Sequence, residues 1–251
     1  MALHKSMLVA RADLKMAMKV SYVKYGLIGI AALGPIMMVA LVLVIALLDP
    51  ATAAATLGMM DPLLSPILGI IAVIPASLIS ANALVGEREQ NTLEPLLCTP
   101  LTDRELLVGK ALSSLIPSIA LLLGSILVTE ISTIVILLYV GSELVLIPGI
   151  PSLFLLLTAG PTLILAIVSV MILISGRVKR VYEAYQTSGA TVMIFIIPMM
   201  LPMVSMDASG NVDMNLVWLS NIATFFVCLL LAAITWALAI SRFNRDRMVS
   251  M

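Results

Sequence analysis

The sequence predicts an all-α, polytopic membrane protein: six transmembrane helices preceded by an amphipathic helix in the membrane interface. Three observations predict it. The 251 residues are 61% hydrophobic and only 11% charged, more apolar than a soluble domain of this size requires. Apolar stretches of about 20 residues, enough to span a bilayer as a helix, recur along the chain. All fourteen Lys and Arg fall in four short zones between those stretches, and Lys and Arg stay on the cytoplasmic side of a membrane. No ten-residue alternation suggests a barrel, and open sheet edges cannot face lipid, so the spans are helices.

Each element follows in order. Residues 7–25 place Arg11, Lys15 and Lys19 four apart, on one helical face, as in a helix lying in the cytoplasmic interface. The first span is Leu27–Leu48, and a short outer loop, Asp49–Pro62, follows. The second is Leu63–Val85, where the run Ala76-Ser77-Leu78-Ile79-Ser80-Ala81 offers small residues for close helix approach. A polar loop occupies 86–110, and the third span is Ala111–Thr129. The apolar run Ile131–Val140 is too short to span by itself. It either extends a tilted third span or forms a re-entrant or outer-surface segment. Ser152–Ile174, Thr187–Ser205 and Val217–Ser241 complete the six. Pro35, Pro75, Pro117, Pro161 and Pro198 lie within spans; each removes a backbone donor and favours a kink.

The charges orient the chain. The cytoplasmic zones hold fourteen cations and eight acids, whereas the outer loops hold Asp49, Asp61, Glu143, Asp207 and Asp213 and no cation. Both termini are therefore expected in the cytoplasm, without a cleavable signal peptide. The same inventory argues against catalysis. The single His is His4, the two Cys are Cys98 and Cys228, and no spacing suits a metal site or an acid–base pair. No phosphate-binding glycine loop of the Walker type occurs. No catalytic, cofactor-binding or metal residue is expected, and no nucleic-acid partner.

The loop 86–110 carries the functional signal. Leu93, Leu96 and Leu97 are three and four apart, so a short helix over Glu87–Cys98 presents them together among charges. Pro100 breaks that helix, and Thr102-Asp103-Arg104-Glu105 is a capping box that starts another. A charged helix with an apolar stripe at a membrane surface suits docking to a soluble partner. A solvated loop whose leucines touch headgroups is the alternative.

The residues Glu87-Arg88-Glu89, Thr92-Leu93-Glu94, Leu96-Leu97, Pro100-Leu101-Thr102 and Gly109-Lys110 resemble the signature of ABC-2 type permeases, the membrane subunits of one class of ABC exporters. Asn91 departs from it, since the family often has Gly there. The resemblance implies a plasma-membrane permease that pairs with a second copy of itself and with two copies of a separate ATPase, which holds the ATP and Mg. It further implies that Glu87, Arg88, Glu89, Thr92, Leu93, Glu94, Leu96 and Leu97 form the coupling helix that contacts the ATPase. A second contact falls on Arg177, Lys179, Arg180 and Glu183, although topogenic positive charge explains those cations too.

Other features have plainer readings. Glu130 is the acid left over near or in the third span, but about twenty residues past Lys110 place it roughly 30 Å along the helix, near the outer interface. Met199, Met200, Met203 and Met206, with Met59, Met60 and Met214, are soft atoms of the kind that bind Cu(I), and are more simply read as adaptable packing residues. Two rival functions follow from these features. An ion-driven secondary transporter or channel needs buried ionisable groups at mid-membrane. A non-transporting member would relay motion to an outer partner, for example in copper delivery.

Overall fold

The computed structural model describes residues 2–19, 21–89, 102–178, 180–205 and 212–242, and these residues form an almost wholly helical bundle. The helices are α1 (Ala2–Lys19), α2 (Ser21–Leu48), α3 (Ala53–Glu89), α4 (Asp103–Val140), α5 (Ile150–Ser175), α6 (Val181–Met199) and α7 (Met214–Arg242), with a short 3-10 turn at Leu201–Ser205 between the last two. Among the described residues, five helices are long and apolar enough to cross a membrane: α2, from Ile28, together with α3, α4, α5 and α7.

Burial separates the spine from the periphery. The most apolar stretch of α3 is 67% buried and that of α5 is 56%, against 28–29% for α2, α4 and α7. α3 and α5 pack on each other; α2 and α4 flank α3, and α7 lies along α5. Phe154 of α5 meets Trp218 and Phe225 of α7 at centroid separations of 5.8 and 6.4 Å, the tilted and edge-on arrangements that aromatic rings favour. Many hydroxyls inside the helices bond to carbonyls one turn back, as Ser80 does to Ala76, Ser118 to Ser114 and Ser169 to Leu165, which lets small polar residues sit in apolar surroundings.

Several boundaries differ from the sequence reading, each for a local reason. The region 49–62, expected as an outer loop, is largely the first turns of α3, and Pro62, Pro66 and Pro75 all lie inside that helix. Neighbouring helices resupply the contacts that a proline forfeits within a buried span. α4 is continuous through Ile131–Val140, which is thus an extension of the third span and not a re-entrant segment. It stops at Gly141, whose φ of 75° turns the chain left-handed while its N–H donates to the Leu137 carbonyl. The expected capping box opens the same helix. The Glu105 N–H donates to Thr102 Oγ1 (3.2 Å) and the Thr102 N–H to Glu105 Oε2 (2.9 Å).

α6 is shorter than its neighbours but runs beside α3. It starts at the Glu89 end of α3 and finishes where Met199 packs over Gly69. Twenty residues of α3 separate Glu89 from Gly69, roughly 30 Å of helix.

α1 packs on the start of α4. Its inward face is Ser6, Val9, Ala10 and Asp13, while Lys5, Arg11 and Lys15 face out. The approach is close at Gly109, where a Cβ would lie 2.9 Å from Val9 Cβ and 3.1 Å from the Ser6 carbonyl oxygen. Gly124 on the same helix has nothing within 4 Å of such a Cβ. Gly109→Leu should therefore push α1 off α4 and cost about 1–3 kcal/mol, whereas Gly124→Leu should change stability by less than about 0.5 kcal/mol. Thermal melting in detergent, with trypsin cleavage after Arg11 as the measure of α1 docking, checks both; equal sensitivity of the two sites would contradict the packing.

Candidate functional site

The ends of α3 and α4 that border the loop 90–101 converge with α1 and the α5–α6 connection. Of the coupling residues implied above, Glu87, Arg88 and Glu89 belong to the described structure; Thr92, Leu93, Glu94, Leu96 and Leu97 lie outside the described residues, as does Lys179. The three described residues form the last turn of α3, not the first turn of a separate helix.

Each has a partner within the chain. Glu87 Oε1 accepts from Lys110 Nζ at 2.5 Å, and the same ammonium lies 2.9 Å from Asp13 Oδ2. Lys110 is 1% exposed, while the Glu87 and Asp13 side chains retain 12% and 14%. One cation thus serves two carboxylates from different helices. Burial pushes the Asp13 carboxyl above its ordinary value, and the neighbouring Lys110 charge acts in the opposite sense. Arg88 spreads its guanidinium over the α5–α6 connection, donating through Nη1 to the Val178 carbonyl at 2.7 Å and through Nη2 to the Gly176 carbonyl at 3.1 Å. The planar fork of a guanidinium suits two such acceptors at once. Glu89 Oε1 accepts the Val181 N–H at 2.8 Å, placing a carboxylate at the N-terminus of α6, where the helix dipole favours it.

This geometry brings Glu87, Arg88 and Glu89 of the first implied contact segment beside the described residues of the second. Arg177, Arg180 and Glu183 are exposed beside the end of α3, held there by Arg88 and Glu89. Ser175 adds a further tie, its Oγ accepting from the Leu84 and Val85 N–H groups at 3.0 and 3.1 Å. The sequence reading did not identify Asp13, Lys110 or Ser175 as parts of one junction. A signal existed in α1: Ser6, Ala10 and Asp13 share the face opposite Arg11 and Lys15, and an acid on an otherwise small and apolar face calls for a buried cation.

The opposite end of the bundle holds a second polar knot. Asp61, expected in an outer loop, is 6% exposed within α3. It accepts from Ser65 Oγ and Ser152 Oγ, both at 2.5 Å, and from the Gly149 N–H at 3.1 Å. Gly149 is the N-cap of α5 and lacks a capping side chain of its own, so Asp61 caps that helix from another. Asn221 Nδ2 of α7 donates to the Pro151 carbonyl at 2.7 Å. Glu130 is partly exposed. Met199 is fully buried, whereas Met59, Met60, Met200 and Met214 are exposed; Met206 and Cys98 lie outside the described residues. Asp61→Ala should leave the Gly149 N–H and the Ser152 hydroxyl without their acceptor and destabilise the bundle by about 1–3 kcal/mol. Met60→Ala, one residue away and 37% exposed, should stay within about 0.5 kcal/mol. Chemical denaturation in detergent measures both, and a silent Asp61→Ala would contradict the cap.

Curated proteins offer no match to this chain. A match is found to the family described as ABC-2 family transporter protein, over residues 9–215. That span takes in α1 from its second turn, the spine of α3 and α5, the junction at Lys110 and the Asp61 cap. The chain is a multi-pass membrane protein of the ABC-2 transporter family.

Proposed function

We propose that this chain is the permease subunit of an ATP-driven exporter whose ATPase is a separate protein. The observation that carries the reading is the junction itself. Glu87 and Lys110 close the two ends of the loop 90–101 against each other, and Arg88 and Glu89 hold the exposed Arg177, Arg180 and Glu183 alongside. A single composite surface then faces the ATPase. Leu93, Leu96 and Leu97 supply its apolar contact, with Thr92, Glu94, Arg177, Lys179, Arg180 and Glu183 around them. Glu87, Arg88 and Glu89 act from behind, fixing where the loop stands.

On this reading the junction end is cytoplasmic and the Asp61 end is outside. α2 to α7 make six crossings of the plasma membrane, with α6 and the following 3-10 turn as the fifth, and both termini lie in the cytoplasm. α1 lies in the interface with Lys5, Arg11 and Lys15 toward the headgroups. Two copies of the chain and two ATPase subunits form the working unit. ATP and Mg belong to the ATPase, and this chain supplies the path and the coupling surface, without catalytic chemistry of its own.

Topology is tested by thiol labelling in a background lacking Cys98 and Cys228. Ala51→Cys and Glu143→Cys, exposed positions toward the Asp61 end, should react from outside intact cells, and Arg177→Cys only after lysis. Labelling of Arg177→Cys from outside would reverse the orientation and remove the ATPase reading with it.

Docking is tested by affinity capture. Leu93→Ala with Leu97→Ala should cost about 2–5 kcal/mol for each side chain packed as in a core. Each 1.4 kcal/mol is about tenfold in affinity, so the pair should release the ATPase while membrane insertion stays normal. Charge changes at Arg177 and Arg180 should instead alter the association rate and its salt dependence. Retention of the ATPase and of ATP-coupled activity by the double leucine variant would show that this loop is not the coupling element.

A further inference from the structure

We propose that Lys110 is a positioning residue that ties the N-terminal helix α1 to the loop 90–101, so that displacement of the loop by a docked partner is delivered to α1. The relay to α1 rests on the docking reading above; the tie itself rests on this chain alone.

Three observations carry it. Glu87 is the last turn before the loop and Lys110 lies in the second turn of the helix after it, so their ion pair closes the loop at its base. Asp13 of α1 meets the same ammonium. Around that point α1 grips the start of α4 continuously: Ser6 Oγ donates to the Glu105 carbonyl at 3.0 Å, Val9 lies against Gly109, and Ala10 is 2% exposed. A cation kept only for topology would sit in water. Lys110, at 1% exposure, is shut away from it, and an ion so placed is held by its counter-charges. An ammonium offers three donors pointing in different directions, which lets one residue engage carboxylates approaching from two helices. Shifting the α3 end of the loop therefore moves the group that Asp13 follows, and α1 is the segment that leads directly into α2.

The test uses the full chain with Cys98→Ser, Ala10→Cys as the reporter, and the buried Cys228 as the internal control for an intact bundle. A hydrophilic maleimide should label the reporter slowly in this parent. Lys110→Met strands the Asp13 and Glu87 carboxylates and should speed labelling about tenfold, with Cys228 still unreactive. Adding Asp13→Asn removes the stranded charge from α1, leaving only that of Glu87 on α3, and should bring the rate back to within about threefold of the parent. This double variant keeps α1 in place by packing alone and remains informative even where Lys110→Met misfolds. With the ATPase bound, ATP plus vanadate should change the parent's labelling rate by about threefold and leave that of the double variant unchanged. The proposal is overturned by a Lys110→Met rate within about twofold of the parent, or by a double variant as fast as Lys110→Met alone. A nucleotide response preserved in the double variant, or absent in the parent with its ATPase retained, overturns it equally. Failure of the parent to retain the ATPase counts against the docking reading, and the labelling rates of the chain alone still decide the tie.

Discussion

Lys110 sits in the second turn of α4 with its ammonium closed off from water, and a charge so placed needs counter-charges from whatever packs around it. Asp13 and Glu87 provide them, and the requirement fixes several things together. α1 must cross the start of α4 closely enough for Asp13 to reach, which Gly109 permits by having no side chain. α3 must extend as helix beyond its apolar stretch as far as Glu89, so that Glu87 faces α4. With that last turn in place, Arg88 and Glu89 fall where they hold the α5–α6 connection and the N-terminus of α6. The meeting of α1, the end of α3 and the start of α4 thus turns on one buried cation.

The inter-helix polar bonds described above lie toward the two ends of the bundle. Lys110, Arg88, Glu89 and Ser175 work at one end; Asp61, Ser152 and Asn221 work at the other. Between them the helices meet through leucine, isoleucine, alanine and ring contacts, and hydroxyls turn back onto their own helices. Such a middle resists separation but has little to fix register, because apolar side chains facing lipid or one another are nearly equivalent in energy. The end knots supply what the middle lacks. α3 and α5 are pinned to each other at both ends, by Asp61 at one and by Ser175 and Arg88 at the other, and these are also the two most buried helices.

Much of this was legible in the sequence, and the rest was hidden for identifiable reasons. Hydropathy placed the helices, because an apolar stretch of span length has few other uses. The Thr102–Glu105 box located the start of α4 to the residue, since that motif is satisfied by local geometry alone. Asp61 was misplaced because an acid beside Pro62 reads as a loop; its burial depends on the bare N-terminus of α5, nearly ninety residues away, which no local pattern reveals. Lys110 and Asp13 were legible as charges but not as a pair, for the same reason. Ile131–Val140 was ambiguous because length decides between a re-entrant segment and an extension only if the start of the helix is known. The surface proposed for the ATPase was suggested by residue pattern and resemblance. Of its first segment, Glu87, Arg88 and Glu89 are within the described residues, and of its second, Arg177, Arg180 and Glu183.

The length of α4 has a mechanical consequence. Its 38 residues make a rod of about 57 Å, nearly twice the roughly 30 Å of a bilayer's hydrocarbon, so it must project beyond the apolar layer. A rod of that length pivoting about its centre by about 5° carries its tips about 2.5 Å in opposite directions. Pro117 removes the backbone donor that would bond the Ser113 carbonyl, and bending concentrates at such a point. The lever is therefore divided unequally, with Lys110 on the short arm and Gly141 at the tip of the long one, so a small angular change near the loop is magnified at the far face.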